Sequence, residues 1–347
     1  MVTEQEKQFL KQYIESACPG PEVNKLLRQE SKNICGLFDN LFSFGETPSR
    51  LFRLLPNSYV KLSNNRYCDK GYLSCSDDID KVISHFSSED LACFVIQMPS
   101  RTSRIVVNEI FPEQNNEGEY ILPHGLELVV RNTQQFVTDN DLTELISSFD
   151  ISENIKSFRD ILRIKSITVY HMSIIFYHAS VENYEVGKTY TTDQFTGDTT
   201  RFHNSLDEAK KQTDILLDEH RPEGCDSRLK SFYIFQDVKH CADYASFLHT
   251  KNVKVYAIEP TSKVFGGFPM CLVNKAHFEK DESIKAKIIQ EYWNPEYPWK
   301  FNEYLTQSIK IIDILELSPP SCSMDYDYDQ TLFQTFLKGL NKKNEVH

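Results

Sequence analysis

Apolar residues recur at helical spacing in the first part of the chain. Residues 4–16 are such a stretch, and one helical face is formed by Phe9, Leu10, Tyr13 and Ile14. The sequence Cys-Pro-Gly-Pro at 18–21 ends this helix. A second helical pattern follows from residue 21 to residue 42, and turn residues at 45–49 mark a loop. Residues 1–45 are therefore predicted to form a small helical cap.

The pattern changes near Arg50 to short apolar runs separated by turn residues. These runs predict strands at 51–56, 71–75, 92–98, 104–110 and 126–130. After the second run, an amphipathic stretch at 76–86 predicts a helix that Ser76 caps. The polar, periodic stretch 139–165 predicts a further helix. We therefore predict a mixed α+β domain at 46–150 and a linker at 151–168.

A second set of apolar runs follows the linker. It predicts strands at 173–180, 230–237, 253–260 and within 303–317, with helices at 206–220 and 238–248. This pattern indicates a second α+β domain over residues 169–318. Residues 319–347 begin with two prolines and an acidic run, and they are predicted to be a flexible tail with a short amphipathic helix near its end.

Length and charge limit the classes of function. The 347 residues suggest two domains, and the formal net charge of -12 repels the phosphates of nucleic acids and anionic membranes. No apolar run reaches the roughly 18 residues that a membrane-spanning helix needs. The polar N-terminus differs from a classical signal peptide. We therefore expect a soluble protein that binds no nucleic acid, and its export to another cell would use a non-classical route.

Cysteine and histidine spacings predict no metal site. The nine cysteines are scattered and form no Cys-x-x-Cys pair, which favours the reduced thiols of a cytosolic environment. The histidines lack the His-Glu-x-x-His spacing of catalytic zinc sites. The chain also lacks the glycine-rich motifs of Rossmann and P-loop nucleotide sites.

Three short motifs occur in order in the first predicted domain. Arg53 lies inside a predicted strand, and Ser74-Cys75-Ser76 ends another strand before a helix. The third motif is Glu117-Gly118-Glu119, which precedes a strand and the turn Leu122-Pro123-His124-Gly125. Taken singly, these features have ordinary structural explanations: an ion-pair partner, a helix cap and solvated turn charges.

Taken together, residues 50–131 resemble the arginine–serine–glutamate branch of the mono-ADP-ribosyltransferases, which includes cholera-like toxins, bacterial effectors and vertebrate ecto-enzymes. The chain departs from the family pattern at Cys75, where threonine is common, and after Arg53, where a glycine is missing. The resemblance implies NAD as substrate, no metal, Glu119 as the catalytic glutamate and Glu117 as its partner. It also implies that Arg53, Ser74 and Ser76 bind NAD and that the acceptor is an arginine of another protein.

These residue types suit that chemistry. The planar guanidinium of an arginine such as Arg53 can donate two parallel hydrogen bonds to oxygens of the NAD pyrophosphate. Positive charge develops at the ribose carbon as nicotinamide leaves, so a nearby carboxylate such as Glu119 stabilises the transition state. An arginine acceptor is protonated at neutral pH, because its pKa exceeds about 12. A second carboxylate, Glu117, can therefore attract the guanidinium and accept its proton.

The second predicted domain carries a weaker set of motifs. His178 lies in a Tyr-His strand, Tyr233 lies in a strand before a helix, and Glu303 opens a late strand. This set resembles the histidine–tyrosine–glutamate branch of the same superfamily. The resemblance implies that His178 and Tyr233 bind NAD and that Glu303 is catalytic. A buried core histidine with a surface glutamate explains the same residues equally well.

The predicted fold is thus two tandem ADP-ribosyltransferase-like split β-sandwich domains behind a helical cap. The predicted function, from resemblance, is a bacterial effector or toxin that transfers ADP-ribose from NAD to a protein in a host cell, with arginine as the expected acceptor. Three alternatives stay open. The chain could be an NAD glycohydrolase, it could be a non-catalytic NAD-binding or docking module, or only its second domain could be active.

Overall fold

The computed structural model describes residues 4–15, 41–68, 71–84, 89–112, 118–151, 164–193, 207–247, 252–297, 299–315 and 324–344. The chain divides into two compact units. Unit 1 consists of residues 1–98 and 102–174, and unit 2 of residues 99–101 and 175–347. The predicted second cap helix, at 21–42, lies almost entirely outside the described residues.

Unit 1 is built on one sheet, which has nine strands within the described part of the chain. The strands are β1 (Ser43–Glu46), β2 (Arg50–Pro56), β3 (Arg66–Cys68), β4 (Leu73–Ser76), β5 (Asp90–Gln97), β6 (Arg101–Val106), β7 (Glu119–Leu122), β8 (Glu127–Phe136) and β9 (Ser166–Ile174). Their order across the sheet is β1-β6-β7-β4-β2-β5-β9-β8-β3. Strands β5 and β9 run parallel, whereas β2 pairs antiparallel with both β4 and β5.

The centre of this sheet is covered on both faces. Strand β5 has six consecutive buried residues from Leu91 to Ile96, and such an unbroken apolar run is typical of a strand without a solvent face. One face packs on a cluster that includes Phe52, Leu142 and Val169. Burial of these side chains is the main stabilising contribution to the unit, at about 25 cal/mol for each Å² of apolar surface.

Four helices accompany the sheet of unit 1 in the described residues: α1 (Glu4–Glu15), α2 (Ile79–Ser84), α3 (Val107–Ile110) and α4 (Asp139–Ser148). Helix α1 buries Leu10 and Tyr13, as its apolar face predicts. Helix α4 begins with a capping box, in which the Thr138 side chain accepts from the Asp141 amide and the Asp141 carboxylate accepts from the Thr138 amide.

Unit 2 contains two sheets in the described residues. The first has the order β10-β13-β16-β11, and the second has the order β12-β15-β14. The strands are β10 (Phe176–Ser180), β11 (Thr189–Thr191), β12 (Phe232–Ile234), β13 (Lys254–Pro260), β14 (Phe265–Pro269), β15 (Asn302–Thr306) and β16 (Ser308–Leu315). A bridge between Tyr177 and Phe235 joins the edges of the two sheets. Neighbouring strands in both sheets pair antiparallel.

The described helices of unit 2 are α5 (Glu208–Glu219), α6 (Val238–Phe247), α7 (Met270–Phe278), α8 (Glu282–Trp293) and α9 (Met324–Asn344). Helix α9 packs on its unit through Phe333 and Phe336, both of which are buried. The ring of Phe336 contacts Tyr297 and Trp299. The Asp329 carboxylate accepts hydrogen bonds of 2.9 Å from the amides of Lys300 and Phe301.

The prediction of a mixed α+β protein is confirmed, and several boundaries differ from their predicted places. The predicted start of the second domain at 169 falls inside β9, which pairs with β5 and β8 of unit 1. Strand β9 ends at Ile174, so the single strand predicted at 173–180 is the end of β9 followed by β10. The strand predicted at 104–110 turns into helix α3 at Val107.

The C-terminal segment also differs from the flexible tail predicted at 319–347. Residues 324–344 form one helix of 21 residues, which includes the acidic run. The buried phenylalanines of this helix and the Asp329 carboxylate find partners on unit 2, and tertiary packing of this kind stabilises a helix beyond its local propensity. The prediction missed this because Asp and Tyr alternate with a period of two in residues 325–329.

Candidate functional site

Three neighbouring strands of unit 1 carry the first set of motif residues. Strands β2, β4 and β7 are adjacent in the sheet, and they hold Arg53, Ser74 and Glu119. Ser76 pairs with Phe52 on one side and with Glu119 on the other. Residues that are far apart in sequence therefore lie side by side because of the strand order.

Ser74 and Glu119 are in direct contact. The Ser74 hydroxyl donates a hydrogen bond of 2.5 Å to Glu119 Oε1. Ser74 and Ser76 point to the same face of β4 because side chains alternate along a strand, and Glu119 lies opposite Ser76 on that face. A hydrogen bond from a hydroxyl to a carboxylate is short and comparatively strong, so it fixes the direction of the Glu119 side chain.

Arg53 approaches the same place from β2. Its Nη1 donates a hydrogen bond of 2.9 Å to the carbonyl oxygen of Ser74. Its Nε is buried and has no hydrogen-bond partner among the described residues. One nitrogen of the guanidinium, Nη1, therefore bonds to β4. The buried Nε stays available to donate a hydrogen bond to an anionic oxygen of a ligand.

Ser76 and Glu117 complete the predicted first site. The Ser76 hydroxyl oxygen accepts a hydrogen bond of 3.1 Å from the amide of Asp78, at the turn before α2. Ser76 is only 5% exposed, so its hydroxyl mainly faces protein. Glu117 lies outside the described residues.

Cys75 lies between the two serines and stays uncharged. Burial raises the pKa of its thiol to about 12, with a further rise from Glu119 and an opposing effect from Arg53. The thiolate is the nucleophilic form of cysteine. Cys75 is therefore a neutral packing residue at neutral pH.

The second set of motif residues lies in unit 2. His178 is 3% exposed, and its Nδ1 hydrogen-bonds the carbonyl oxygen of Tyr233 over 2.8 Å. A carbonyl only accepts, so Nδ1 carries the proton in this contact. The imidazole also packs against the rings of Phe232 and Tyr184.

Glu303 is at the centre of a buried polar cluster. It is fully buried, and its Oε1 accepts hydrogen bonds from Arg228 Nε over 3.1 Å and from the Tyr292 hydroxyl over 2.5 Å. Burial raises the pKa of Tyr292, and the Glu303 charge raises it further, so the hydroxyl stays protonated and donates. Burial opposes the charge on Arg228, but Glu303 and the neighbouring tyrosines more than offset this and raise its pKa.

Arg228 also covers the ring of Tyr233. The guanidinium carbon lies 4.7 Å from the centre of that ring, and the Tyr233 hydroxyl donates to the Arg228 carbonyl oxygen over 3.0 Å. His178, Tyr233 and Glu303 are thus connected through one cluster. The resemblance implies that Tyr233 and Glu303 interact with NAD, but here the ring face of Tyr233 and one oxygen of Glu303 both contact Arg228.

The cluster also includes four residues that no sequence motif indicated: Arg228, Tyr292, Asp214 and His277. Asp214 Oδ1 lies 3.8 Å from Arg228 Nη1 and 2.7 Å from His277 Nε2. Asp214 is buried on α5 beside Thr213 and Leu217. The sequence does not indicate this, because three of the four residues at helical spacing from Asp214 are the charged Lys210, Lys211 and Asp218. No sequence pattern marks Arg228 either.

Neither a membrane-spanning helix nor a metal cluster occurs in the described ranges. No helix there has the length and apolar character that crossing a membrane requires. Among those same residues, no group of three or more His, Cys, Asp and Glu side chains is arranged to hold a metal ion.

Comparisons with known proteins find similarity in solved structures alone. No protein-family model and no curated protein sequence matches the chain. Plx2a, an ADP-ribosyltransferase toxin from Paenibacillus larvae, is 15% identical with a TM-score of 0.31, over 50% of this chain and 87% of that one. An ADP-ribosyltransferase from Clostridium botulinum is 13% identical with a TM-score of 0.30, over 50% and 87%. The ATR domain of Salmonella SpvB is 19% identical with a TM-score of 0.30, over 49% and 84%. Half of the chain is thus similar in structure to bacterial ADP-ribosyltransferases.

Proposed function

We propose that the chain is a mono-ADP-ribosyltransferase that uses NAD and that its active site lies in unit 1. The observation that carries this proposal is the contact between Ser74 and Glu119, next to Arg53 on the adjoining strand. It supports the function because the three motif residues implied by the resemblance are far apart in sequence and adjacent in space.

Arg53 would bind the pyrophosphate of NAD. A buried guanidinium nitrogen without a protein partner costs free energy unless a ligand accepts its hydrogen bond. Phosphate oxygens suit this donor, because arginine forms charge-assisted hydrogen bonds with them. The Nη1 contact with Ser74 holds the guanidinium in place, so little side-chain freedom is lost when NAD binds.

Glu119 would stabilise the charge that develops at the ribose. The bond between the ribose carbon and the nicotinamide nitrogen breaks, and nicotinamide leaves with the bonding electron pair as a neutral molecule. The ribose then resembles an oxocarbenium ion, which a fixed carboxylate stabilises more strongly than it stabilises the neutral sugar. The hydrogen bond from Ser74 holds the carboxylate in one direction, so it need not reorganise during the reaction.

The acceptor would be an arginine side chain of a protein. Its nitrogen forms the new bond to the ribose carbon and loses one proton, which Glu117 would accept. By its resemblance to toxins and effectors, the protein would act as a virulence factor in the cytosol of a host cell. Water in place of arginine would make the chain an NAD glycohydrolase with the same site.

Unit 2 would be a second ADP-ribosyltransferase-like domain without catalytic activity. Two contacts support this. Arg228 lies over the ring of Tyr233, and Glu303 is fully buried with Arg228 and Tyr292 on the same oxygen. A substrate would have to displace this buried ion pair, and breaking a buried pair costs about 3–5 kcal/mol.

The proposal is tested with labelled NAD. Wild-type protein, Glu119→Gln and Glu303→Gln are each incubated with a eukaryotic cell lysate, and labelled proteins and released nicotinamide are measured. We expect Glu119→Gln to lose both signals by about 100-fold or more, because a neutral amide cannot stabilise the developing charge. We expect Glu303→Gln to keep both. Glu144→Gln is the matched control, because Glu144 is exposed on α4.

Each outcome decides between the candidates. Labelling lost only in Glu303→Gln, with tryptophan fluorescence showing a folded unit 2, would move the active site to unit 2. Nicotinamide release with neither protein nor a small guanidine labelled would identify a glycohydrolase. A folded wild-type protein that produces neither signal would be a binding or docking module.

A further inference from the structure

Asp77 touches the chain segment that carries Glu119. Gly118 has φ +55°, a conformation that favours glycine, and a Cβ atom built on it would lie 2.5 Å from Asp77 Oδ1. The same Cβ atom would lie 3.3 Å from Lys81 Nζ. The Asp77 carboxylate therefore packs against the backbone at Gly118, in space that any side chain would fill.

Asp77 also acts on the residue on the other side of Glu119. Burial raises the pKa of the Tyr120 hydroxyl, and the Asp77 carboxylate raises it further through its charge and through hydrogen bonding. Cys75 and Tyr120 are partners in the pairing of β4 with β7, so they share a face of the sheet, and this face is opposite to that of Ser76 and Glu119. Asp77 thus packs against Gly118 and interacts electrostatically with Tyr120, the two chain neighbours of Glu119, and Tyr120 lies on the face that the Glu119 carboxylate does not use.

We propose that Asp77 is a positioning residue for the reaction of unit 1: through Gly118 and Tyr120 it holds the start of β7 so that the Glu119 carboxylate meets Ser74. This inference rests on the function proposed above. The hydrogen bond between Ser74 and Glu119 requires that β7 keep its place relative to β4, and Glu119 is the first residue of the strand, where a strand is held least by its own ladder.

Kinetics of nicotinamide release test the inference. Asp77→Ala and Tyr120→Phe should each lower kcat by about tenfold or more while the KM for NAD changes less than threefold, because a misplaced carboxylate slows the chemical step. Asp77→Asn should restore most of the rate, because its amide oxygen still accepts from Tyr120. The Asp77→Ala/Tyr120→Phe double variant should be no slower than the slower single variant, because both remove the same contact.

A neighbouring carboxylate supplies the control. Asp78→Asn removes one negative charge from the same turn, and its side-chain oxygen can still accept from the Asp80 amide as Asp78 Oδ1 does. It should turn over NAD at the wild-type rate. A loss in Asp78→Asn equal to that in Asp77→Ala would mean that local charge, and not the contact with Tyr120, is responsible.

Hydrogen exchange of the peptide that covers residues 118–122 gives a readout without activity. Exchange should be about tenfold faster in Asp77→Ala than in wild type and unchanged in Asp77→Asn. Equal exchange in all three proteins overturns the positioning role of Asp77, even if the enzyme is active.

If Asp77→Ala slows transfer to a small guanidine but not to water, Asp77 contacts the acceptor and the positioning role is wrong. If exchange follows the expectation but wild type releases no nicotinamide, the proposed function fails, and with it a catalytic role for Asp77.

Discussion

At the residue scale, the chemistry proposed for unit 1 depends on the direction in which the Glu119 carboxylate points. Ser74 provides that direction with a single hydroxyl, and Arg53 holds the carbonyl of the same serine. One residue of β4 is therefore bonded on both sides, through its backbone to β2 and through its side chain to β7. Because Ser74 contacts both Arg53 and Glu119, we expect activity to depend more on Ser74 than on the other uncharged residues of the site.

We expect Ser74→Ala to lower kcat for nicotinamide release by about 10- to 100-fold, because a hydrogen bond to a charged group contributes about 1.5–3 kcal/mol. The KM for NAD should change less, since the Arg53 contact uses the backbone of residue 74 and survives the substitution. Steady-state kinetics of nicotinamide release measure both constants. A rise in KM with an unchanged kcat would show that Ser74 binds the substrate and does not orient Glu119.

Ser76→Ala is the informative partner variant. The Ser76 hydroxyl accepts from the Asp78 amide, so its loss should lower the free energy of unfolding by about 1 kcal/mol and leave kcat within about threefold of wild type. Urea titration and the same kinetic assay check the two parts. A loss of activity equal to that of Ser74→Ala would support the NAD-binding role that the resemblance implies for Ser76.

Cys75 should resist alkylation at mildly alkaline pH. Its pKa of about 12 lies above the ordinary value of 9.0, so below pH 9 the thiolate fraction is roughly a thousandfold lower than in the unfolded chain. The thiolate fraction of Cys75 should rise about tenfold with each pH unit and reach one half only near pH 12. Iodoacetamide labelling of the native protein, located by mass spectrometry, should modify the exposed Cys68 and spare Cys75. Labelling of Cys75 at pH 8 in folded protein would contradict its burial.

Candidate site residues could be predicted from the sequence where several short motifs follow one another in the order typical of a known family. Arg53, Ser74 and Glu119 were selected from motifs, and they are neighbours because β2, β4 and β7 are adjacent. Arg228 could not be selected, because its partners Glu303 and Tyr292 lie 75 and 64 residues further along the chain. Only the fold reveals that this arginine is buried with a carboxylate.

At the element scale, helix α9 shows how a buried carboxylate can attach a helix to a loop. Asp329 is fully buried, and its two oxygens accept from two successive amides just before β15, the strand that carries Glu303. These hydrogen bonds offset part of the free energy that the burial of the carboxylate costs. The Asp329 carboxylate therefore links helix α9 to the segment that leads into β15.

Asp329→Asn should destabilise unit 2 by about 1–3 kcal/mol, because an amide has one acceptor oxygen and its NH2 group would face a backbone N–H. Asp327→Asn, at an exposed position of the same helix, should have no measurable effect on unfolding. Denaturant unfolding followed by tryptophan fluorescence measures both. Equal stability of the two variants would show that α9 is held by its aromatic side chains alone.

The elements that were predicted well are those with an unbroken pattern. β2, β13 and α5 lie within one or two residues of their predicted bounds, because each is a single apolar or amphipathic run between turn residues. Strand β9 was assigned to the linker and the second domain, and helices α7 and α8 were not predicted. Helix α7 buries five of its nine residues, four of them consecutive, and the five buried residues of α8 all lie in its second half, so neither helix shows an apolar stripe that repeats with helical spacing along its length.

At the scale of the whole molecule, the two units can be monitored separately. The chain has two tryptophans, Trp293 and Trp299, and both are buried in unit 2. Cys93 is buried on β5 in the core of unit 1. Tryptophan fluorescence therefore reports the unfolding of unit 2, and pulsed alkylation of Cys93 reports the unfolding of unit 1.

We expect two separate unfolding transitions in urea, because each unit has its own core. Asp329→Asn should shift only the fluorescence midpoint. Leu91→Ala should shift only the Cys93 midpoint and cost about 2–5 kcal/mol, since Leu91 is fully buried on β5. Coincident midpoints in the wild type and in both variants would mean that the units unfold as one cooperative body.

The position of β9 has a consequence for protein synthesis. Strand β9 is the last strand of its sheet to leave the ribosome, yet it lies between β5 and the ribbon of β8 and β3. Until residue 174 has emerged, the edge of β5 is an open template for pairing with other chains, and chaperones would be needed to cover it. We therefore expect arrested nascent chains that stop before Ser166 to bind chaperones and resist folding, whereas chains that extend well past Ile174 fold and become resistant to protease. If the shorter chains are resistant to protease, the other strands of the sheet can fold without β9. The strands would then pair as they are synthesised, before β9 is available.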